Sequence, residues 1–450
     1  MLDVQAGRVV RSRGGLSRRD FVRVGALGTM GLTLADWLRL KAEGAVQGGK
    51  AKSVIQIFLW GGPPHLDTFD PKPEAGEDYS GPLKTPVQTN VPGIKISELL
   101  PLMAKQADKY AILRSMTHGD DGHETAAYKM LSGTMPSADL VYPSIGSVVA
   151  LKKSQSSYHG ALPPFVAITR AYGRFNEAGF LGNDYKAFPT EGDPNNKDFR
   201  VQGIAAPGGI TAPRQAERRG LLAAVDALDA DLDKQGEIQT MDSYQQKALA
   251  LIMGDAKEAF NLGAEKDEVR ERYGRTHHGQ ALLLARRLVE REVPFITINW
   301  DGWDTHTANF EAMKRMLPEM DKSFSVLLQD LSERGLLPST IVTWFGEFGR
   351  TPKVSWEPPW NGGRHHYGAC FSAVVAGGGF KGGTVVGASD FRGEHVKDRP
   401  VYPWDLAASM YQLLGIDPMG RLPHPQGCVA YVTPLASGDV PSGGILKEIM

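Results

Sequence analysis

Phe295–His306, FITINWDGWDTH, is the stretch whose reading decides the fold. Phe295, Ile296, Thr297, Ile298 and Trp300 are apolar, aromatic or β-branched, the composition of a short buried strand. Asp301-Gly302 is a dipeptide that ends strands, and Asp304 and His306 follow at once on the loop. In an open α/β sheet, ligands bind just beyond the carboxyl ends of the strands. Asp301, Asp304 and His306 occupy such an end. Carboxylate and imidazole this close together suit a hard or borderline divalent cation. The plainer role is that the two aspartates cap the next helix and His306 faces water.

Working outward, the same punctuation recurs. Ser53–Trp60 (SVIQIFLW) is almost continuously apolar, as a central strand covered on both faces requires. Gly61-Gly62-Pro63-Pro64 breaks it, and His65, Asp67 and Asp70 follow. Ala111–Met116 reads as a strand that runs into His118, Asp120, Asp121, His123 and Glu124. Thr125–Leu131 then reads as a helix that ends at Gly133. Ser97–Tyr110 reads as a short helix capped by Ser97, and Tyr142–Leu151 as another with a proline near its start. Pro164–Thr169 is a further strand. Residues 171–213, rich in Gly, Asn, Asp and Pro, form a long irregular excursion. Helical periodicity marks Arg214–Asp233, Ser243–Phe260, Gln280–Glu292, Phe310–Arg334 and Val401–Leu414. Thr340–Phe345 and Ala369–Ala376 complete the strands; Glu347 follows the first of these, and His365 and His366 precede the second. Gly377–Gly379 lacks the spacing of a dinucleotide-binding loop and reads as a turn. Strands alternating with helices predict an α/β three-layer sandwich with a mainly parallel central sheet.

The bulk properties narrow the function. Of 450 residues, 42% are hydrophobic and 22% charged, an ordinary globular balance. A net charge of −1 supplies no field for nucleic acid. Two cysteines, Cys370 and Cys428, cannot make a CxxC metal site, and their pairing is left open. Ser17-Arg18-Arg19-Asp20-Phe21-Val22-Arg23, the apolar run Val24–Leu34 and the small-residue segment Ala42-Glu43-Gly44 come in the order of a twin-arginine signal peptide. Residues 1–44 are therefore read as that signal, with the Tat translocase as export partner and the periplasm or cell envelope as destination. Residues 45–450 are read as one domain. No stretch of it is long and apolar enough to span a bilayer.

Right-handed crossovers bring the four post-strand clusters to one edge of the sheet. His65, Asp67, Asp301, Asp304, His306, Glu347, His365 and His366 are thus the candidate metal ligands, with His123 in reach. His278, in the Thr276-His277-His278 loop, is expected outside the site. Mixed His and Asp ligands favour Zn, Mn or Fe over Mg, with Ca left open.

Five segments resemble the bacterial Domain of Unknown Function 1501 family: GGPPHLDTFDPKP (61–73), RYGRTHHGQALLLARRLVEREVPF (272–295), GWDTH (302–306), GEFGRTP (346–352) and GGRHHYGACFSAVVAGGGFKGG (362–383). That family is placed near the alkaline phosphatase and sulfatase superfamily. The resemblance implies an alkaline phosphatase/sulfatase-like fold with a divalent-metal site. Met130-Leu131-Ser132-Gly133 is similar to the end of the sulfatase nucleophile helix, but the nucleophile position falls near His123. Trp60 stands where the superfamily has an aspartate, Glu347-Phe348 where it has Asp-His, and His366 or His365 fits its last metal histidine.

The expected function is a metal-dependent hydrolase of phosphate or sulfate esters, acting on an anionic ester or a glycan. His123 would serve as general acid or base, and Arg350 and Arg364 would hold the anion by paired N–H donors. Ordinary salt bridges are the plainer role for both arginines. The alternative is a non-catalytic cell-envelope binding protein on a degenerate sulfatase-like fold, with Trp356–Trp360 as a sugar-stacking surface.

Overall fold

The computed structural model describes residues 49–137, 140–170, 177–201 and 255–450. The signal-peptide segment, the Arg214–Asp233 helix and most of the Ser243–Phe260 helix lie outside them. Residues 50–450 form one compact unit.

Eight strands build the central sheet: β1 (Ser53–Leu59), β2 (Tyr110–Met116), β3 (Phe165–Ile168), β4 (Phe188–Pro189), β5 (Phe295–Trp300), β6 (Thr340–Phe345), β7 (Phe371–Ala376) and β8 (Thr384–Val386). Their order across the sheet is β8-β2-β7-β6-β1-β5-β3-β4. β1 lies at the centre, parallel to β5 in the register Val54↔Phe295 and to β6 in the register Ser53↔Thr340. Every residue of β1 is buried. β7 is the exception to the parallel sheet: it runs antiparallel to both β2 and β6. β4 comes from the segment expected to be irregular throughout. It pairs with β3 at the sheet margin, where Pro189 is tolerated because an edge strand need not donate on its outer side.

Helices cover both faces. Ile55, Ile57 and Leu59 point into a core shared with α3 (His277–Glu290) and α4 (Asn309–Glu333). Val54 and Phe58 point the other way, into a core shared with α1 (His123–Ser132), α2 (Ile145–Ser156) and α5 (Pro403–Leu413). The period-2 alternation of a strand is thus apolar on both sides, which is why β1 reads as a continuous apolar run. Among the described residues, no helix is long and apolar enough to cross a membrane.

Helix ends follow local chemistry. Thr276 accepts from the Gly279 amide and opens α3 earlier than periodicity alone suggested. Ser144 likewise accepts from the Ser147 amide, so α2 starts at Ile145 rather than Tyr142. The Ser97–Tyr110 helix is corrected to one turn, Pro101–Ala104. Ser97 does not cap it, and the buried Asp321 carboxylate of α4 accepts the Leu102 and Met103 amides instead. Cys370 is buried, Cys428 is exposed, and both are free thiols.

With both faces of β1 inside cores, neither side should tolerate truncation. Ile57→Ala and Phe58→Ala, on opposite faces, should each cost about 2–5 kcal/mol in urea unfolding. A near-neutral result at either position would mean that its face is not covered.

Candidate metal centre

The carboxyl ends of β1, β2, β5 and β6 share one edge of the sheet. Because β7 is reversed, its beginning lies at that edge too, which brings in His365 and His366. The short antiparallel pairing of Gly349–Arg350 with His366–Tyr367 sets His366 opposite Arg350.

Close backbone approach locks these loops together. Gly61, at φ +112°, passes so near the loop after β5 that a Cβ would sit 2.1 Å from the Asp304 nitrogen. At Gly363 a Cβ would lie 1.8 Å from the His306 carbonyl oxygen. No other residue fits either crossing. The Trp303 amide donates to the Trp60 carbonyl, and the Arg364 amide to the Thr305 carbonyl.

At the centre, His306 Nε2 lies 2.9 Å from His366 Nε2, and each lies 3.1 Å from Asp304 Oδ1. His123 Nε2 is 3.4 Å from the other Asp304 oxygen. One ligand atom each from His123, Asp304 and His366 can be chosen within 4.8 Å of one another. The outer nitrogens of two of these rings have fixed partners. His123 Nδ1 lies 2.7 Å from Glu347 Oε1, and His366 Nδ1 lies 2.8 Å from the Asp121 carbonyl. A carbonyl can only accept, so the His366 proton sits on Nδ1 and its Nε2 lone pair faces inward. With His306 Nε2 bare as well, lone pairs from two imidazoles and a carboxylate would meet within 3.1 Å, an arrangement that a cation satisfies. Atoms so spaced can all reach one ion through bonds of about 2.0–2.2 Å.

The electrostatics agree with this. Burial works against the charge of Asp304, but the Arg350 guanidinium and the His366 contact outweigh it and hold the carboxyl down at about 2. Burial lowers the pKa of His306 from its ordinary value, against the opposing pull of Asp304. The hydrogen bond to Glu347 raises His123. Glu347 is fully buried; its Oε1 also accepts the Gly61 amide at 2.8 Å, and its Oε2 has no hydrogen-bond partner. The His123 ring stacks on Trp60, at 5.3 Å between centroids.

Other residues named from the sequence are placed elsewhere. His65 is buried, with Nε2 2.9 Å from the Gly393 carbonyl. Asp67 is fully buried and binds Arg364 through both oxygens, each at 2.8 Å. Arg364 uses its remaining donors on the Thr351, Pro352 and Tyr79 carbonyls. Asp67 is therefore turned away from the cluster, and Arg364 from any substrate anion. Arg350 is also fully buried; it donates to the Gly61, Gly62 and Arg364 carbonyls and to Asp304. It anchors a cluster carboxylate rather than facing solvent. Asp301 is exposed and outside the converging set. His365 touches the cluster from outside, its Nδ1 3.0 Å from His306 Nδ1. His278 lies apart, stacked on Trp300 at 4.1 Å with Nδ1 3.2 Å from Glu319. Sequence reasoning did not single out Asn309, which donates to Asp67 and accepts from Thr305. Its only signal was its place at the start of α4.

The family model for proteins of unknown function DUF1501 matches residues 51–436. The chain belongs to the DUF1501 family. No curated protein matches it in sequence. Among solved structures, this DUF1501 chain is similar to the lipoteichoic acid synthase LtaP of Listeria monocytogenes, at 10% identity and TM-score 0.38, over 87% of this chain and 76% of that one. It is also similar to the PsFucS1 sulfatase of Pseudoalteromonas sp. (14% identity, TM-score 0.35, 89% and 72% covered). A third is the zinc complex of the C-terminal periplasmic domain of EcEptC from Escherichia coli (10% identity, TM-score 0.37, 88% and 96% covered).

His118 packs beneath the cluster, its Nε2 2.7 Å from the Glu347 carbonyl, and burial lowers it from 6.5 to about 4. Above pH 6.5 the ring is neutral in folded and unfolded chain alike. Below that the unfolded chain takes up a proton that the folded form refuses until about pH 4, so stability falls across that window. The loss is about 3 kcal/mol at most. His118→Gln should lose less stability between pH 6.5 and 4 in urea titrations. It should not lose none, because burial lowers His65 as well. An unchanged pH slope would count against a buried neutral His118.

Proposed function

We propose that this DUF1501 protein is a metal-dependent hydrolase of phosphate or sulfate esters. The observation that supports it best is the meeting of His306 Nε2, His366 Nε2 and Asp304 Oδ1 within 3.1 Å of one another. These three would hold the ion. Two neutral imidazoles and one carboxylate suit Zn, Mn or Fe better than Mg. A bound ion of this kind polarises an ester oxygen and lowers the pKa of water.

His123 is the proposed general acid–base. Glu347 fixes its Nδ1 proton, which leaves Nε2 to take or give a proton on the side of Asp304. The fixed orientation matters as much as basicity, because proton transfer needs the nitrogen within hydrogen-bond reach. Trp60 and Phe348 flank the ring and limit its rotation. Thr125 Oγ1 donates to Asp120 and Ser115 Oγ to the Arg399 carbonyl, so neither hydroxyl is paired with an imidazole. Attack by water, without a covalent intermediate, is the route these residues favour. With Arg350 and Arg364 committed inward, the ion and His123 would meet the charge of the ester.

The test is elemental analysis of the purified protein beside hydrolysis of aryl phosphate and aryl sulfate. His306→Ala should lose metal, whereas His278→Ala should retain it. His123→Ala should keep metal while hydrolysis falls about 10²–10⁴-fold. Equal metal content in the His306 and His278 variants would sink the centre. Full metal with no hydrolysis of either ester would sink the activity.

Export by the Tat route to the periplasm or cell envelope is part of the same proposal, supported by Arg18-Arg19 ahead of an apolar run. Replacing both arginines by lysine should leave the protein in the cytoplasm. Normal export of that double variant would exclude the route.

A further inference from the structure

Three imidazoles of the cluster turn Nε2 inward, so each outer Nδ1 needs a partner. Glu347 serves His123 and the Asp121 carbonyl serves His366. The third partner is another imidazole: His306 Nδ1 lies 3.0 Å from His365 Nδ1, and His365 Nε2 lies 3.2 Å from Ser355 Oγ. We propose that His365 and Ser355 form a relay of hydrogen bonds that fixes the tautomer of His306 and holds its Nε2 lone pair toward the ion. This rests on the metal-centre reading above.

The assignment follows from counting protons. With Nε2 bare, neutral His306 carries its hydrogen on Nδ1 and donates it to His365. His365 Nδ1 must then be bare, which puts the His365 proton on Nε2, where Ser355 Oγ accepts it. Each hydrogen has one place. The same count argues against Ser355 as a nucleophile activated by His365. That role needs His365 Nε2 bare, so its Nδ1–H would be directed at the Nδ1–H of His306 across 3.0 Å.

Both members of the relay are held rigidly. The Trp360 ring meets the His365 ring edge-on, at 4.6 Å and 90°. The His365 amide donates to Thr351 Oγ1, and its carbonyl accepts the Thr351 amide. Ser355 is pinned by its backbone: its amide donates to the Gly363 carbonyl, and its carbonyl accepts the Gly362 amide. His365 touches a ligand and not the ion, so it is a positioning residue. Such partners orient the ligand and raise its basicity, and losing one weakens metal affinity about 10–100-fold.

The experiment is Zn²⁺ affinity of the purified protein, by competition with a chromophoric chelator. His365→Ala should bind Zn²⁺ about 10–100-fold more weakly. His365→Asn places an amide oxygen near the lost Nδ1 and should recover most of the affinity. Ser355→Ala, one step further out, should weaken binding less than His365→Ala does. Urea midpoints of the metal-free proteins identify any variant that fails to fold; Ser355→Ala and His365→Asn then carry the comparison. Wild-type affinity in His365→Ala, or equal weakness in His365→Ala and His365→Asn, would overturn the relay alone. Loss of hydrolysis with unchanged Zn²⁺ affinity in Ser355→Ala would instead make Ser355 the nucleophile. A wild-type protein that binds no Zn²⁺ would remove the centre and the relay together.

Discussion

The buried pair of Asp67 and Arg364 holds the site's loops in place. Both side chains are fully excluded from water, and the guanidinium uses every donor it has. Leaving one of these charges without the other strands a charge in the interior, at a cost of about 3–5 kcal/mol. The pair joins the loop after β1 to the segment that enters β7. Asn309 extends the tie to the loop after β5 by donating to Asp67 and accepting from Thr305. Three loops that are remote in sequence thus share one polar anchor. None of its members faces the cluster, but the position of His306 depends on it.

Above this anchor the chemistry is arranged by opposed requirements. In the proposed centre, two imidazole lone pairs and a carboxylate within 3.1 Å would repel one another unless something positive sat among them. Arg350 supplies part of that charge from beneath, through Asp304. Outer partners prevent the rings from flipping to relieve the rest: a carboxylate for His123, a carbonyl for His366, a second imidazole for His306. In the proposed centre this organisation would precede any ion, which would limit the ordering entropy that binding must offset. The glycines at 61 and 363 belong to the same design, since any side chain there would force the strand-end loops apart.

Local pattern accounts for much of the architecture. Continuous apolar runs bounded by Gly, Pro and Asp identified β1, β2, β5, β6 and β7, because a strand buried on both faces has no polar side to show. The gathering of strand ends at one edge follows from right-handed crossovers, and it put Asp304, His306, Glu347 and His123 in one neighbourhood. Where a helix began was less legible. Caps such as Thr276 and Ser144 act through single hydrogen bonds, and Asp321 reaches the Leu102 turn from another element altogether.

The sequence by itself determined which residues follow the parallel strands to the carboxyl edge, because strand periodicity and chain handedness are local rules. Only the tertiary structure decided which of them face one another. Asp67, Arg364 and Arg350 have the chemistry of ligand and anion clamp, but their partners lie far along the chain, and burial commits them to one another and to backbone carbonyls. The reversed direction of β7, which places His365 and His366 at the site, is likewise a property of strand pairing. The part each histidine plays is fixed by what its second nitrogen meets, and those contacts join residues between about 10 and 250 positions apart. Spacing within one segment carries no information about them.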